Sequence, residues 1–160
     1  MLADVLALTE SLPVRALAAG ERLFSQGDAS STIVVLVEGE LVIETGGVVV
    51  NRHTEPGSFI GEIGALLRQP HSATASAARP TILREIGEPH QFFATYPQLG
   101  LEVAWQLAGR LHRLTAYVAD VQRQFAGRDD HLGMLCEMID RIAMRPPVDI
   151  EPGSDRAPDY

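Results

Sequence analysis

The sequence lacks an excess of positive charge, and this bears on the class of its partners. Its 160 residues carry 13 basic and 21 acidic side chains, for a formal net charge of −8. Nucleic-acid-binding domains need a basic face that neutralises phosphates and releases counterions. We therefore expect no DNA or RNA partner.

Long apolar runs and a targeting segment are also missing. The first ten residues, MLADVLALTE, have neither a basic start nor a sustained apolar stretch. No run in the chain approaches the roughly 20 apolar residues that span a bilayer. We expect a cytoplasmic protein that makes no membrane contact.

Cysteine is nearly absent, which removes several kinds of site. With Cys136 as the single cysteine, an intramolecular disulfide and a four-cysteine iron–sulfur or zinc site are excluded. The sequence also shows no nucleophile paired with a base, so we do not expect an enzyme.

The length and composition predict one domain with appendages. A hydrophobic content of 46% is ordinary for a globular protein and gives one core at this size. We assign residues 1–126 to the domain with its long C-terminal helix and residues 127–145 to a short helical extension. Residues 146–160, which carry four prolines and mostly acidic charge, predict a disordered tail.

Short β-rich runs fill the middle of the chain. Gly46 and Gly47 separate two apolar runs, and paired glycines reach the positive φ angles of a tight hairpin. Evenly spaced short strands with glycine turns predict a jelly roll or a barrel. The predicted strands are Thr32–Val37, Leu41–Ile43, Val48–Asn51, Ser72–Ala77 and Thr81–Ile86.

Helical periodicity flanks these strands. Apolar positions within residues 2–12 predict a short N-terminal helix. After Pro97, apolar residues recur at alternating spacings of four and three, which is the a/d pattern of a coiled coil and predicts a dimer interface. Packing of this helix on its own domain is the alternative. The interface residues are Leu107, Leu111, Leu114, Val118, Val121 and Phe125.

The segment FIGEIGALLRQPHSATA, residues 59–75, is the most informative in the chain. Together with Gly20-Glu21, Gly27-Asp28, Glu38-Gly39 and Pro56-Gly57 in order, it resembles the cyclic-nucleotide-binding domain family. The resemblance covers about residues 14–125. It implies an α+β fold with an eight-stranded antiparallel jelly roll (a double-stranded β-helix) flanked by helices, of which the long C-terminal helix forms the dimer in bacterial members.

The resemblance also implies a phosphate-binding cassette whose ligand is a cyclic nucleotide, cyclic AMP or cyclic GMP, or another small anion, with no other cofactor. Backbone N–H groups after Phe59 would face the phosphate, and Glu62 would accept the 2′-hydroxyl proton. The ligand-binding residues that we expect are Phe59, Ile60, Gly61, Glu62, Ile63, Gly64, Arg68, His71, Ser72, Ala73 and Thr74.

His71 stands where the family has arginine. A guanidinium gives a permanent charge and two parallel hydrogen bonds to phosphate, whereas imidazole has a pKa near 6.5 and one well-aimed donor per nitrogen. Arg68 is the nearest cation in sequence that could compensate. In the alternative interpretation the cassette is degenerate and structural: Ile63, Leu66 and Leu67 pack the core, and the protein is a dimeric interaction module with an unidentified protein partner.

Two other functions fit less well. Catabolite-activator relatives carry a winged helix of about seventy residues after the long helix, by family resemblance, and 35 residues follow Phe125 here; we expect a stand-alone regulatory domain. A cupin-type metal enzyme would need His-x-His with nearby Glu and a distant His. The five histidines are scattered, with no such pair.

Overall fold

A computed structural model describes residues 4–125 of the chain. The chain divides into two compact units, residues 1–107 and residues 108–160, and residues 108–125 are the described part of the second. The predicted extension (127–145) and tail (146–160) lie outside the described residues.

Eight antiparallel strands form two four-stranded sheets, which confirms the predicted jelly roll. One sheet has the order β1-β8-β3-β6 and the other β2-β7-β4-β5. The sequence pattern missed β1, β2 and β6 because runs of two to four residues are too short to show alternation. The strands are β1 Val14–Leu17, β2 Arg22–Phe24, β3 Ile33–Glu38, β4 Leu41–Thr45, β5 Val48–His53, β6 Phe59–Ile60, β7 Thr74–Ala77 and β8 Thr81–Ile86.

Strand β3 shows why the molecule has two apolar layers. Its first four residues are all buried, because both faces of the sheet that contains it are covered. Val34 and Leu36 belong to a cluster between the two sheets, together with Leu83 of β8. Ile33 and Val35 belong to a second cluster on the outer face, which helices cover.

The β4–β5 hairpin forms as the glycine pair predicts. Gly46 and Gly47 have φ angles of 57° and 80°, and Thr45 pairs with Val48 across the turn. Positive φ at both central residues matches the twist of the flanking strands. Strand β7 begins two residues later than predicted, because residues 72 and 73 form a bend before Thr74.

A second turn, at Gly39, links the two sheets. Gly39 has a φ of 111°, and a Cβ there would lie 2.5 Å from the Cα of Thr81. Thr81 is fully buried, and its hydroxyl accepts from the Glu40 N–H at 3.1 Å and donates to the Arg79 carbonyl at 2.8 Å. The close approach lets β3, β4 and the start of β8 meet at one corner.

The N-terminal helix is shorter than predicted. Helix α1 covers Val5–Leu8, whereas the apolar pattern predicted residues 2–12. The Thr9 N–H and hydroxyl both donate to Val5 O, at 3.1 and 2.6 Å. The Arg84 guanidinium donates to Leu6 O, and the Glu10 N–H donates to Ala7 O instead, so the helical pattern stops after the first turn.

Three further helices complete the described part of the chain: α2 (Glu62–Leu67), α3 (Pro89–Thr95) and α4 (Pro97–Phe125). In the first unit, Leu99 and Val103 of α4 are buried in the outer cluster, and Leu107 packs against it. Leu107, a predicted interface residue, thus contacts its own domain. In the second unit, Leu111 and Leu114 are 65% and 59% exposed, and Val118 and Val121 are half-buried.

The corner at Gly39 yields a prediction for stability. Gly39→Ala places a methyl group inside the van der Waals contact of the Thr81 backbone and strains a positive φ, so it should lower the free energy of unfolding by about 3 kcal/mol or more. Urea denaturation followed by circular dichroism measures this.

Gly20→Ala is the matched control, because Gly20 has a φ of 82° and nothing within 4 Å of an added Cβ. It should cost only about 1 kcal/mol, from backbone strain alone. Equal losses in the two variants would contradict the role of the Thr81 contact.

Candidate functional site

The cassette, residues 59–75, crosses from one sheet to the other. It starts with β6 on the edge of the first sheet, continues through α2, and ends in β7 of the second sheet. Within this segment Gly61 lies beside the His71 ring, and His71 bonds Gly27 and Asp28 of the β2–β3 loop.

Gly61 allows the sharp entry into α2. It is the N-cap residue, with a φ of 87° and a ψ of 0°. A Cβ there would lie 3.2 Å from Thr32 O, 3.4 Å from His71 Cε1 and 3.5 Å from Phe24 Cε1. Glycine thus serves two purposes at this position: it reaches the left-handed region, and it leaves room beside the Thr32 carbonyl, while the two rings lie at ordinary contact distance.

Helix α2 buries only one side. Glu62, Gly64 and Ala65 are buried, and Leu66 packs against the outer cluster. Ile63 and Leu67 are 44% and 56% exposed, so the alternative in which both fill the core is wrong. Residues four apart share a helix face. Ile63 and Leu67 lie on such a face of α2, and the described residues leave it exposed.

His71 is held firmly in the wall of the site. Its N–H donates to Asp28 O at 2.9 Å, and its carbonyl accepts from the Gly27 N–H at 2.8 Å. The imidazole lies flat on the ring of Phe24, with 3.6 Å between ring centroids and 2° between ring planes. Only 7% of the residue is exposed. One face of the imidazole is therefore covered by Phe24 and unavailable to a ligand.

Burial sets the charge of this imidazole. Desolvation lowers the pKa of His71 below 6.5, and the nearby negative charge of Asp28 opposes this effect without overcoming it. The ring is therefore mostly neutral at pH 7. Among residues 4–125 we find no hydrogen bond to the ring nitrogens, which leaves one nitrogen as donor and one as acceptor.

The small residues after His71 form the rest of the wall. Ser72 is exposed, and Ala73 and Thr74 are half-buried. Thr74 Oγ1 accepts from the Gln26 N–H at 3.0 Å, so its own proton remains available to donate. The Gln26 side chain in turn accepts from the Gly46 N–H at 3.2 Å, which ties the β4–β5 hairpin to this wall.

Arg68 lies at the other end of α2. It is the C-cap residue, with a φ of 54° and a ψ of 40°, and its N–H donates to Gly64 O. Its side chain lines a cavity of 390 Å³ formed by residues 29–31, 65, 68–70 and 87–90. That lining does not include Glu62, His71 or Thr74. Compensation of His71 by Arg68 stays a prediction.

The sequence did not identify three residues as parts of the site. Phe24 and Asp28 precede His71 by more than forty positions, and only the pairing of β2 with β7 brings them together. Gln106 of α4 accepts from the Phe59 N–H and donates to Gly57 O, both at 3.1 Å. No local pattern in the sequence marks any of these contacts.

Within residues 4–125, no group of three or more His, Cys, Asp or Glu side chains is placed to hold a metal ion. Over the same range, no helix combines the length and the apolar character needed to cross a membrane.

Comparison with known proteins gives a consistent match. Residues 14–94 match the family model of the cyclic nucleotide-binding domain. Among curated proteins, the chain is 30% identical over 106 residues to the Pycsar effector protein XpPycTIR of Xanthomonas perforans, covering 61% of this chain and 34% of that protein. It is 32% identical over 77 residues to a cAMP-dependent protein kinase regulatory subunit of Mycosarcoma maydis, covering 46% and 15%. The chain thus spans about a third or less of these relatives.

Solved structures share the fold. One was described with a cyclic-GMP-dependent signalling pathway that regulates bacterial phytopathogenesis; it has a TM-score of 0.60 and 25% identity and covers 71% of this chain and 95% of its own. The catabolite activator protein of Thermus thermophilus has a TM-score of 0.62 at 21% identity, covering 87% and 80%.

The environment of His71 yields a prediction for its pKa. In the folded protein, NMR titration should give a pKa below 6.5, and Phe24→Ala should raise it toward 6.5 because water then reaches the imidazole. Phe92→Ala, which opens the outer cluster instead, is the matched control and should leave the pKa of His71 unchanged.

The same shift gives a sign for stability. A histidine whose pKa is lowered by folding binds protons more readily when unfolded, so the free energy of unfolding should fall as the pH drops below about 6.5. His71→Gln should remove this part of the pH dependence. A measured pKa for His71 at or above 6.5 would refute the effect of burial.

Proposed function

Because the chain belongs to the cyclic nucleotide-binding domain family, we propose that it is a regulatory domain that binds cyclic AMP or cyclic GMP in the cassette of residues 59–75. The observation that carries this proposal is the layout of the pocket around His71: Gly61 lies within contact distance of two rings, Thr74 offers a hydroxyl proton, and the ring nitrogens of His71 make no hydrogen bond among residues 4–125.

The phosphate side of the pocket depends on the entry into α2. The left-handed Gly61 turns the chain so that the first N–H groups of α2 have no helical carbonyl to bond. In the proposed complex they donate to the phosphate, and Glu62 at the start of α2 accepts from the ribose 2′-hydroxyl. Ser72 and Thr74 donate to the phosphate or the base.

His71 limits the affinity at neutral pH. A neutral imidazole gives the phosphate one hydrogen bond and no charge, whereas charge-assisted bonds contribute about 1.5–3 kcal/mol. The loss corresponds to binding that is roughly ten- to a few-hundred-fold weaker than with arginine. Protonation restores the positive charge, and a bound phosphate raises the pKa of the imidazole in turn. The proposed site therefore binds more tightly in acid.

The relatives are consistent with a sensor. XpPycTIR is named a Pycsar effector protein, and the Mycosarcoma maydis relative is a regulatory subunit of a cAMP-dependent kinase. In both, the matched region is a part of a longer chain. We accordingly propose a ligand-binding role without catalysis, with no DNA partner given the net charge of −8.

A second candidate function has its own supporting observation. Burial lowers the pKa of His71, and Phe24 covers one face of its ring. His71 therefore resembles a packed side chain of the pocket wall more than a residue that binds an anion. In this alternative the cassette binds no nucleotide, and the exposed Ile63 and Leu67 contact a protein partner.

Calorimetric titration with cyclic AMP and cyclic GMP tests the proposed function. At least one nucleotide should bind, and its dissociation constant should decrease as the pH falls below about 6.5, because imidazolium attracts the phosphate anion. His71→Arg should tighten binding about tenfold or more at pH 7 and abolish the acid enhancement.

His90→Arg is the matched control, since it adds the same charge at an exposed position that does not line the nucleotide pocket. It should leave the affinity nearly unchanged. Absence of heat at millimolar nucleotide in both the wild type and His71→Arg would favour the protein-interaction alternative.

We further propose a homodimer through α4, as the a/d spacing suggests. The stripe is Leu111, Leu114, Val118, Val121 and Phe125, with Leu107 shared with the domain's own outer cluster. Leu111 and Leu114 are more than half exposed in a single chain. Burying such a stripe against a partner helix is the main driving force of coiled-coil association.

Substitution within the stripe tests the dimer. Leu111→Glu and Val118→Glu should each give a monomer in multi-angle light scattering, because a desolvated carboxylate opposes helix association. His112→Glu changes an exposed neighbour outside the stripe. The measured mass of this variant should remain that of a dimer. A dimer that persists in the Leu111→Glu and Val118→Glu variants would refute this interface.

A further inference from the structure

A second cavity lies at the far end of α2, apart from the nucleotide pocket. Three segments line it: the β2–β3 loop at residues 29–31, the end of α2 with residues 65 and 68–70, and residues 87–90 before and at the start of α3. Its volume of 390 Å³ is near the lower end of the roughly 300–1,000 Å³ range of small-molecule sites. A ligand of this cavity is therefore small.

Arg68 enters this cavity at a conformational cost. It is the one residue other than glycine with a positive φ among those described. At the C-terminus of a helix this conformation is usually taken by glycine or asparagine, because a Cβ strains it. A strained residue in a cavity wall suggests that its side chain is needed there.

Ser30 gives an independent indication of a missing partner. Its Oγ is buried and has no hydrogen-bond partner among the described residues. Buried hydroxyl groups nearly always have one, supplied by protein, water or ligand. The loop is pressed against α2 at this point, since a Cβ on Gly64 would lie 2.7 Å from Ser30 Oγ. Ser30 also lines the cavity, but its Oγ is buried, so a ligand in the cavity touches other atoms of this residue.

The charges of the lining define the ligand class. Arg68 and Glu88 both line the cavity, and within residues 4–125 neither forms an ion pair. A guanidinium is suited to a carboxylate by its planar pair of donors, and a carboxylate accepts from an ammonium group. We propose that this cavity binds a small zwitterion of the α-amino-acid class, with its carboxylate at Arg68 and its ammonium group at Glu88.

The remaining lining fits such a ligand. Ser31 supplies a hydroxyl group and Gln69 an amide, while Ala65 and two prolines supply apolar surface for a side chain. The charged residues are exposed to solvent, so the ion pairs are screened and binding is weak, with a dissociation constant on the order of 1 mM.

The test is titration of the whole chain with each of the common L-amino acids, followed by amide chemical shifts. At least one should bind and shift the amides of Ser30, Gln69 and Glu88. Its N-acetyl derivative lacks the ammonium charge and its carboxamide derivative lacks the carboxylate charge. Each should bind more weakly by about tenfold or more.

Arg68→Gly separates binding from folding. Glycine relieves the positive φ, so the variant should unfold at the same temperature as the wild type or higher, yet bind the amino acid about tenfold more weakly. Glu88→Gln should lose a similar factor. His71→Ala, in the nucleotide pocket, should leave amino-acid affinity unchanged and so distinguishes this site from the proposed nucleotide site.

Three outcomes would overturn the proposal. The first is that no common amino acid binds at concentrations of about 10 mM, well above the expected dissociation constant. The second is binding that Arg68→Gly and Glu88→Gln both leave unchanged. The third is binding with shifts at His71 and Thr74 in place of Ser30, Gln69 and Glu88.

Discussion

The flat packing of His71 on Phe24 beneath Gly61 is the contact on which the site depends. It joins three parts of the chain that are far apart in sequence: the end of β2, the entry into α2 and the segment before β7. A side chain at Gly61 would meet both rings. The backbone hydrogen bonds of His71 to Gly27 and Asp28 hold its main chain against the β2–β3 loop. They therefore fix the point from which the ring extends.

This contact also explains how one residue serves both folding and charge. An arginine carries its charge at every physiological pH, whereas burial favours the neutral form of the stacked imidazole. The apolar packing that stabilises the wall therefore acts against the charge that a phosphate needs. The two demands are opposed at a single side chain, and pH decides which one is met.

Local patterns in the sequence predicted those features that depend on neighbouring residues. The Gly46-Gly47 hairpin and strand β8 follow from turn chemistry and a run of sufficient length. Helix α1 was predicted too long, because the Leu6 carbonyl accepts from Arg84, which lies 78 positions away. The outward direction of Ile63 and Leu67 was likewise missed, since α2 has only six residues and one covered side.

The candidate site could be located from the sequence but not assembled from it. The resemblance singled out residues 59–75, and His71 was identified as the changed position. Its partner Phe24 could not be found, because nothing near either residue encodes a stack that forms only when β2 and β7 pair. Arg68 is close to His71 in sequence, yet it takes a left-handed conformation at the end of α2. It lines the cavity beyond that end of α2, and His71 does not line this cavity.

Gln106 links the cassette strand β6 to helix α4 through hydrogen bonds. One amide group holds the Gly57 carbonyl and the Phe59 N–H, so neither segment can shift along the other without breaking two hydrogen bonds. A coupling of this kind is reciprocal in free energy. Whatever fixes the first turns of α4 in place therefore also constrains the entry to the cassette.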